Sequence, residues 1–489
     1  MFCLPVLLAG MASVPVAAQN SASPAAPAAT ASAAPVQAAP QQAYTLPPDK
    51  LARAIALSRI RNILNLGSSI WGVGFLWLLL ACRAWHGIEK WAQLVSSRRW
   101  VQGLVFFVAY FVITALAGGV IDAISNHYER AYGISVQGWG SWMGDEAKAL
   151  GLTVLFGVPV LLLFNWMVRR WRRYWLGIWV VTLPILVFSL LILPLLVPLF
   201  YTQEPLQKNH AALVEKIETV VARAGINIPP SRMYLIKASE KSTGINAFVA
   251  GIGPTKRYVM WDTATDQMPD DQVLFVFGHE SGHYVLHHIP KELAGDAAGL
   301  FFVLWACAGF AAWMVRRYGA RWGAVDLASR TGFVMLLFAL SVAGFITQPV
   351  SSAFSRYFEH QADVYGQEAI HGIVADPEKT AVAAFSKLGE SWLEDPNPSP
   401  LIEFWRYDHP SVEHRAEFAA HYDPWANGGH GEFLKNRERG SKGAKKLLGI
   451  AVRAHQSIPL EDARGSHAAT NTHRHHPVPC GTPCPQLLE

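Results

Sequence analysis

The sequence predicts a mainly α-helical protein that crosses a membrane several times and carries a smaller water-exposed region of helices and strands. Two features of its 489 residues support this fold class. Hydrophobic residues make up 51% of the chain and charged residues only 16%, against roughly 25% charged residues in soluble domains. The apolar residues are also gathered into runs close to the length of about 20 residues that a helix needs to cross a bilayer.

Six apolar runs are candidate membrane spans. One such run by itself could be a buried helix of a soluble protein. Six runs bounded by arginine and tryptophan residues favour membrane spans with aromatic belts at the interfaces. The runs are 66–82, 101–121, 149–168, 176–200, 297–315 and 332–350.

Composition divides the chain into five parts. The first contains an apolar run followed by small residues, as in a signal peptide, and the second is rich in Ala, Pro and Ser, which predicts a disordered linker. A membrane domain with four spans follows, then a water-exposed region that includes the last two spans, then a largely disordered tail. The parts are 1–19, 20–45, 46–201, 202–422 and 423–489. Within the fourth part, strands are expected at 232–237 and 257–261.

Basic residues indicate how the chain is oriented in the membrane. Three gaps between spans contain twelve Lys or Arg residues: Arg83, Lys90, Arg98, Arg99, Arg169, Arg170, Arg172, Arg173, Arg316, Arg317, Arg321 and Arg330. By the positive-inside rule these loops are cytoplasmic, which predicts that the C-terminal region faces the periplasm of a bacterial inner membrane. Lys50, Arg53, Arg59 and Arg61 precede the first span on the outer side and oppose this orientation. The net charge of +5 is small for this length, so no nucleic-acid partner is expected.

A short motif in the exposed region has the spacing of a metal site. His279, Glu280 and His283 belong to a predicted helix that starts near Pro269, and residues four apart share one face of a helix. Two imidazoles placed in this way can bind one tetrahedral Zn²⁺. Glu280 lies beside the metal and can accept a proton from the water that attacks a peptide carbonyl. The motif predicts a zinc-dependent peptidase with one Zn²⁺ per chain.

Two further histidines follow the motif. His287 lies four residues beyond His283 on the same predicted face, but His279 and His287 would be two helical turns apart, so one ion could not easily reach both. We interpret His287 and His288 as an interface or substrate-cavity pair, or as polar residues ahead of the fifth span.

A third protein ligand is expected because catalytic zinc sites use three ligands and keep one position open. Glu359 is the best candidate. Asp363 lies four residues further on the same helical face and could orient a ligating histidine or transfer protons. Spacing alone does not choose Glu359 over Glu368.

The two motifs together resemble the integral-membrane CAAX prenyl endopeptidase family, the type I zinc proteases, in a bacterial-type member. The pattern H-E-x-G-H at 279–283 is followed by S-R-x-x-E-x-x-A-D at 355–363, with two membrane spans between them. Segments 46–61 and 246–263 and a late His-Pro element at 409–410 also match, so the resemblance covers about residues 46–422.

The resemblance implies a helical barrel that encloses a large chamber, with a zincin-type α+β metallopeptidase domain at one end. It also implies that His279, His283 and Glu359 bind zinc and that Glu280 is the general base.

Three further roles follow from the same resemblance. Asp363 matches the position of a proton donor, Asn246 would lie on the edge strand that holds the substrate, and His409 would lie near the oxyanion. The eukaryotic members differ in having seven spans and an active site that opens toward the cytosol.

The predicted function is therefore that of a zinc-dependent membrane endopeptidase. Its expected partners are membrane lipid and a peptide or protein substrate, which is membrane-associated or lipidated. Three alternatives remain: a quality-control protease with no CAAX role, a processor of lipidated C-terminal peptides, and a non-catalytic scaffold that contains zinc. An intact Glu280 argues against the scaffold, because a structural zinc site has no need of a base.

Overall fold

The structure is a computed structural model and describes residues 42–226, 228–251 and 255–434. The predicted signal-like segment at 1–19 lies outside these residues, as do most of the predicted linker and most of the predicted tail.

Helices dominate the described residues, and six of them are long and apolar enough to span a membrane. The spanning helices are α1 (Pro48–Ala81), α3 (Arg99–Ala131), α4 (Trp139–Arg170), α5 (Tyr174–Leu196), α9 (His288–Trp322) and α10 (Arg330–Ile370). The shorter helices are α2 (Ala84–Val95), α6 (Ala211–Ala224), α7 (Asp262–Gln267), α8 (Asp270–Val285), α11 (Pro377–Trp392), α12 (Pro400–Arg406) and α13 (Val412–His421). Each of the six predicted apolar runs falls in a different spanning helix, although the first and fourth runs extend slightly past their helix ends.

A four-stranded sheet packs beside these helices. It consists of β1 (Gln203–Pro205), β2 (Met233–Ile236), β3 (Ala247–Ala250) and β4 (Arg257–Trp261), in the order β1-β2-β4-β3. The β2–β4 pair is parallel, and the two outer pairs are antiparallel. The expected strands at 232–237 and 257–261 correspond to β2 and β4. The sequence analysis did not place β1, which has three residues, or identify the full extent of β3.

The buried apolar residues form two large clusters. One lies among α3, α4, α9 and α10 and includes Phe107 and Phe333. The other lies between the sheet, α6 and α8 and includes Leu213, Met233 and Phe277. The first stabilises the membrane helices, and the second supports the helix that carries the two-histidine motif.

Helix α10 joins these two regions because it is continuous over 41 residues, a length of about 60 Å. Its first turn is held by the buried Glu89, whose carboxylate accepts the backbone N–H groups of Arg330 and Thr331 at 2.9 and 3.0 Å. A negative charge at a helix N-terminus satisfies unpaired donors and opposes the helix dipole. The apolar part of α10 and the segment that carries Glu359 therefore belong to one continuous helix.

Helices α8 and α10 approach each other at backbone contact. An added Cβ on Gly278 would lie 3.0 Å from the carbonyl oxygen of Gly366, and one on Gly366 would lie 2.9 Å from the backbone nitrogen of His279. On Gly282 it would lie 3.0 Å from the Cβ of Tyr365. Contacts this short leave little room for an added Cβ, so glycine favours this close packing.

A few residues at the inner ends of the predicted linker and tail make defined contacts. The end of the predicted linker is ordered: Tyr44 is buried, and its backbone N–H donates to Glu413 at 2.6 Å. The start of the predicted tail is also ordered, because Leu434 is buried and donates its N–H to Glu368 at 2.9 Å. In both cases a carboxylate pairs with backbone donors outside the regular helices, which apolar patterning does not reveal.

Two of the basic residues that oppose the predicted orientation form ion pairs. Arg61 forms a buried two-bond ion pair with Glu129 at 2.6 and 2.7 Å and donates to the carbonyl of Trp392. Lys50 pairs with Glu390. These charges hold α1 against α3 and α11, so they have a structural role independent of topology.

The α8–α10 contact predicts that Gly366→Ala destabilises the protein, because the new methyl group would meet the backbone of His279. Overpacking of this kind costs about 1–3 kcal/mol, which should lower the thermal unfolding midpoint of the protein in detergent. Gly295→Ala in α9 is the matched control, since nothing lies within 4 Å of its added Cβ. An unchanged midpoint in Gly366→Ala would contradict close packing of the two helices.

Candidate metal centre

Three side chains from two helices converge on one point. The Nε2 atoms of His279 and His283 on α8 lie 3.1 Å apart. Each lies 3.3 Å from a different carboxylate oxygen of Glu359 on α10. The described residues contain one cluster of this kind, with all three ligand atoms within 4.8 Å of one another.

The spacing of these atoms fits a tetrahedral divalent cation. For metal–ligand bonds of about 2.0–2.1 Å, tetrahedral geometry requires ligand atoms about 3.3–3.4 Å apart, close to the separations here. The Oε2 atom of Glu359 is buried and accepts no well-oriented hydrogen bond from the described residues. Two imidazoles and one buried carboxylate are a donor set suited to Zn²⁺.

Glu368, the alternative to Glu359, lies away from this cluster. It is nine residues further along α10, about half a turn around the helix axis. Its carboxylate accepts the hydroxyl of Tyr422 at 2.6 Å and the backbone N–H groups of 432–434. Glu368 thus holds the last described segment in place and is not available to a metal at the histidines.

Asp363 contacts the first histidine from behind. Its Oδ1 lies 2.8 Å from Nδ1 of His279, and the guanidinium of Arg415 binds both carboxylate oxygens at 2.6 and 2.9 Å. A carboxylate held in this way accepts the Nδ1–H and leaves the Nε2 lone pair directed at the metal position. Because both oxygens are engaged, these contacts favour the orienting role over proton transfer.

Glu280 lies between the cluster of His279, His283 and Glu359 and the sheet. Its Oε2 accepts the backbone N–H of Val249 in β3 at 3.3 Å. The contact places the carboxylate beside the edge strand of the sheet, since β3 pairs only with β4 among the described strands. Asn246 directly precedes β3, and its carbonyl accepts the N–H of Trp261 at 3.0 Å.

His409 lies at the open side of the cluster. Its Nε2 is 3.2 Å from Oε2 of Glu359, and its Nδ1 is 2.9 Å from Asp408. The side chain is 47% exposed, compared with 9% for Glu359. His409 can therefore contact both Glu359 in the candidate metal centre and a bound substrate.

The prediction that His287 shares a helical face with His283 is wrong. Helix α8 ends at Val285, and His287 has φ 57° and ψ 41°, a left-handed conformation that separates α8 from α9. His287 is exposed, whereas His288 is fully buried with its Nδ1 3.2 Å from Nδ1 of His283. Helical periodicity could not identify this contact, because it depends on a break in the helix.

The surrounding carboxylates change the acidity of His279. Burial opposes its charged form, but hydrogen bonds to Asp363 and Glu359 outweigh burial and raise the pKa of the imidazole to about 10. A histidine must be neutral to bind a metal, so a cation and this proton compete for the same nitrogen.

Comparisons with known proteins agree with this fold. The profile of Peptidase family M48 matches residues 207–423, and a profile described as CAAX prenyl protease N-terminal, five membrane helices, matches residues 32–202. Residues 32–202 contain helices α1–α5. Of these five, α2 has only 12 residues and is too short to cross a bilayer.

Two curated relatives share most of the chain. The uncharacterized metalloprotease YhfN of Bacillus subtilis (strain 168) is 32% identical over 76% of this chain and 86% of its own length. A CAAX prenyl protease 1 homolog of Homo sapiens is 25% identical over 65% of this chain and 73% of its own length.

A solved structure has the same fold. The crystal structure of S. mikatae Ste24p superposes with a TM-score of 0.65 at 21% sequence identity, covering 76% of this chain and 89% of that chain. This likeness confirms the predicted fold class, a mainly helical multi-pass membrane barrel enclosing a chamber, with an α+β metallopeptidase domain.

The raised pKa of His279 predicts that metal uptake releases a proton near pH 7. His279 is protonated below its folded-state pKa of about 10, so apparent affinity for Zn²⁺ should rise with pH, by up to about tenfold per unit for one displaced proton. Calorimetric titration of chelator-stripped protein in two buffers of different ionisation enthalpy would count the protons. Asp363→Asn should release fewer protons on zinc binding, because it removes a carboxylate that raises the pKa of His279. Uptake without proton release at pH 7 would contradict the assignment.

Proposed function

Since this chain belongs to the M48 peptidase family of CAAX prenyl protease relatives, we propose that it is a zinc-dependent endopeptidase that cleaves peptide bonds of membrane-associated proteins. It is an integral multi-pass membrane metalloprotease. The observation that supports zinc is the convergence of His279, His283 and Glu359 at tetrahedral spacing, with Glu280 alongside.

The proposed roles of the residues follow from their positions. His279, His283 and Glu359 hold zinc, which when bound would polarise the scissile carbonyl and make water more acidic. Glu280 accepts the proton of the attacking water. Asp363, itself held by Arg415, keeps the Nε2 lone pair of His279 directed at the metal.

The sheet edge offers a place for the substrate. Strand β3 has a free edge in the described sheet, and Glu280 contacts Val249 within it. An extended peptide could add to this edge through main-chain hydrogen bonds, with Asn246 at one end of the strand. Its scissile carbonyl would then lie near Glu280, and His409 would be placed to donate to the oxyanion.

The substrate class is a separate part of the proposal. The human relative is named a CAAX prenyl protease 1 homolog, which supports testing prenylated peptides. The relative with 32% identity is named only as an uncharacterized metalloprotease. We favour a general endopeptidase of membrane-associated proteins, and processing of lipidated C-terminal peptides is the second candidate.

Replacing Glu280 tests the proposed chemistry. Glu280→Gln should retain one zinc per chain and lose turnover by about 10²–10⁴-fold, because an amide cannot accept the proton of water. Zinc content by atomic absorption and cleavage of fluorogenic peptides would be measured together. Glu218→Gln on the exposed face of α6 is the matched control and should behave as the unmodified protein.

The same assay separates the candidate functions. Substantial turnover in Glu280→Gln would contradict the general-base role, and zinc without cleavage of any peptide in the unmodified protein would favour the scaffold. A rate that requires a farnesyl group would favour the prenylated substrate class. Capture of cellular proteins by Glu280→Gln, followed by mass spectrometry, would identify natural substrates.

The orientation of the chain gives a second prediction, that the metallopeptidase domain faces the periplasm. The three arginine-rich gaps support this orientation, and two of the opposing basic residues, Arg61 and Lys50, are engaged in ion pairs. A reporter should be fused after Leu434, because 432–434 bind Glu368. In a bacterial host, alkaline phosphatase should be active at this junction and green fluorescent protein dark. A fluorescent fusion with inactive phosphatase would place the active site in the cytosol.

A further inference from the structure

The two metal-binding histidines are supported by different partners. His279 has a carboxylate behind its ring, whereas the Nδ1 of His283 lies 3.2 Å from the Nδ1 of a second histidine, His288. His288 is fully buried, and its Nε2 lies 3.1 Å from Oε1 of Gln361 on α10. The amide nitrogen of Gln361 in turn donates to the hydroxyl of Tyr357 at 3.1 Å.

The contact between His283 and His288 depends on an unusual backbone conformation. On an uninterrupted α-helix, residues five apart lie about 140° apart around the axis and do not meet. The left-handed conformation of His287 breaks the helix and turns His288 back toward His283. A non-glycine residue with positive φ persists only when its surroundings hold it, and such residues cluster at functional sites.

The hydrogen-bond directions along this chain have one solution compatible with metal binding. His283 can present a lone pair at Nε2 only if its Nδ1 carries the hydrogen. That hydrogen is then donated to Nδ1 of His288, which must be the acceptor. The Nε2 of His288 must therefore carry its own hydrogen and donate it to Oε1 of Gln361. A rotated Gln361 amide would reverse each bond and put a hydrogen on the metal-facing nitrogen of His283.

We propose that His288 is a positioning residue that fixes the tautomer and ring orientation of His283, and that Gln361 sets the tautomer of His288. The inference rests on the proposed metal-dependent function, because it assigns His283 as a ligand. Outer partners of metal-bound histidines orient the ring and increase its basicity, and their loss typically costs about 10–100-fold in metal affinity. His288 does not touch the substrate or the metal and acts only through His283.

Two substitutions separate this role from simple packing. The centroid of the His288 ring lies 4.8 Å from that of Phe358, and His288→Phe would preserve an aromatic ring there but remove the acceptor. His288→Asn would lose the ring, but its Oδ1 takes the covalent position of Nδ1 and can accept the hydrogen of His283. The proposal expects zinc affinity to fall about 10–100-fold in His288→Phe and to stay close to that of the unmodified protein in His288→Asn. If His288 served only to pack against Phe358, His288→Phe would bind zinc more tightly than His288→Asn.

The measurement uses the full chain in detergent, stripped of metal and titrated with Zn²⁺ against a competing chelator. Visible absorption of the Co²⁺-substituted protein gives an independent readout, because the bands depend on ligand geometry and should shift in His288→Phe but not in His288→Asn. His287→Asn is the matched control: it removes the neighbouring exposed imidazole and tolerates the left-handed conformation, so affinity and spectrum should not change.

Gln361 provides a second test if His288→Phe fails to fold. Gln361→Met removes the acceptor for His288 and should weaken zinc binding, whereas Gln361→Glu keeps an acceptor and should bind zinc more tightly than Gln361→Met. Equal affinities within each pair of variants, or the reverse order, would overturn the proposal. His283→Ala separates the test of the metal site from the test of His288. Unchanged zinc affinity in His283→Ala would reject the metal site itself. Loss of zinc in His283→Ala, with unchanged affinity in the His288 and Gln361 variants, would reject only the role of His288.

Discussion

The backbone contact between α8 and α10 is the constraint on which the functional site depends. Each helix contributes only part of the site, two histidines from α8 and Glu359 from α10, so the geometry of the site depends on how closely the two helices are held together. Gly278, Gly282 and Gly366 remove the side chains that would hold the helices apart. The glycine in the H-E-x-G-H motif therefore contributes to the close packing of α8 against α10.

The second requirement is that buried charges have partners, because an isolated ion in a protein interior is strongly unfavourable. Asp363 is neutralised by Arg415, whose side chain also lies over the ring of Phe385. Glu359 faces the two histidines and His409. The two histidines of the motif therefore have different hydrogen-bonding partners. Behind His279 lies a charged chain of contacts that runs from Arg415 through Asp363. Behind His283 lies a neutral chain that runs from Gln361 through His288. In the proposed zinc site, the first set of contacts would increase the basicity of His279, and the second would orient His283 without adding charge.

Helix α10 contains both a candidate membrane span and a residue of the candidate metal centre. Its apolar half packs among the spanning helices, Glu89 holds its first turn, and its polar half carries Glu359, Asp363 and, on the opposite side, Glu368. One continuous helix therefore carries both an apolar segment long enough to span a membrane and the side chains that α10 contributes to the candidate metal centre. Glu368 performs a structural task with the same side chain as Glu359, and only the helical phase separates the two roles.

The sequence alone determined the features that depend on local spacing and composition. Six apolar runs predicted the six spanning helices, because the length needed to cross a bilayer can be read from hydropathy, and the i, i+4 pair of His279 and His283 follows from helical periodicity. Spacing left Glu359 and Glu368 equivalent; the family motif favoured Glu359, and the approach of α10 to α8 places its carboxylate beside the two histidines. The tertiary structure also decided the contact of His288 with His283, because it requires a left-handed residue at 287 that no periodic pattern contains. Likewise, the order of Tyr44 and Leu434 depends on the distant carboxylates of Glu413 and Glu368, and pairings of this range are set by the fold and not by neighbouring residues.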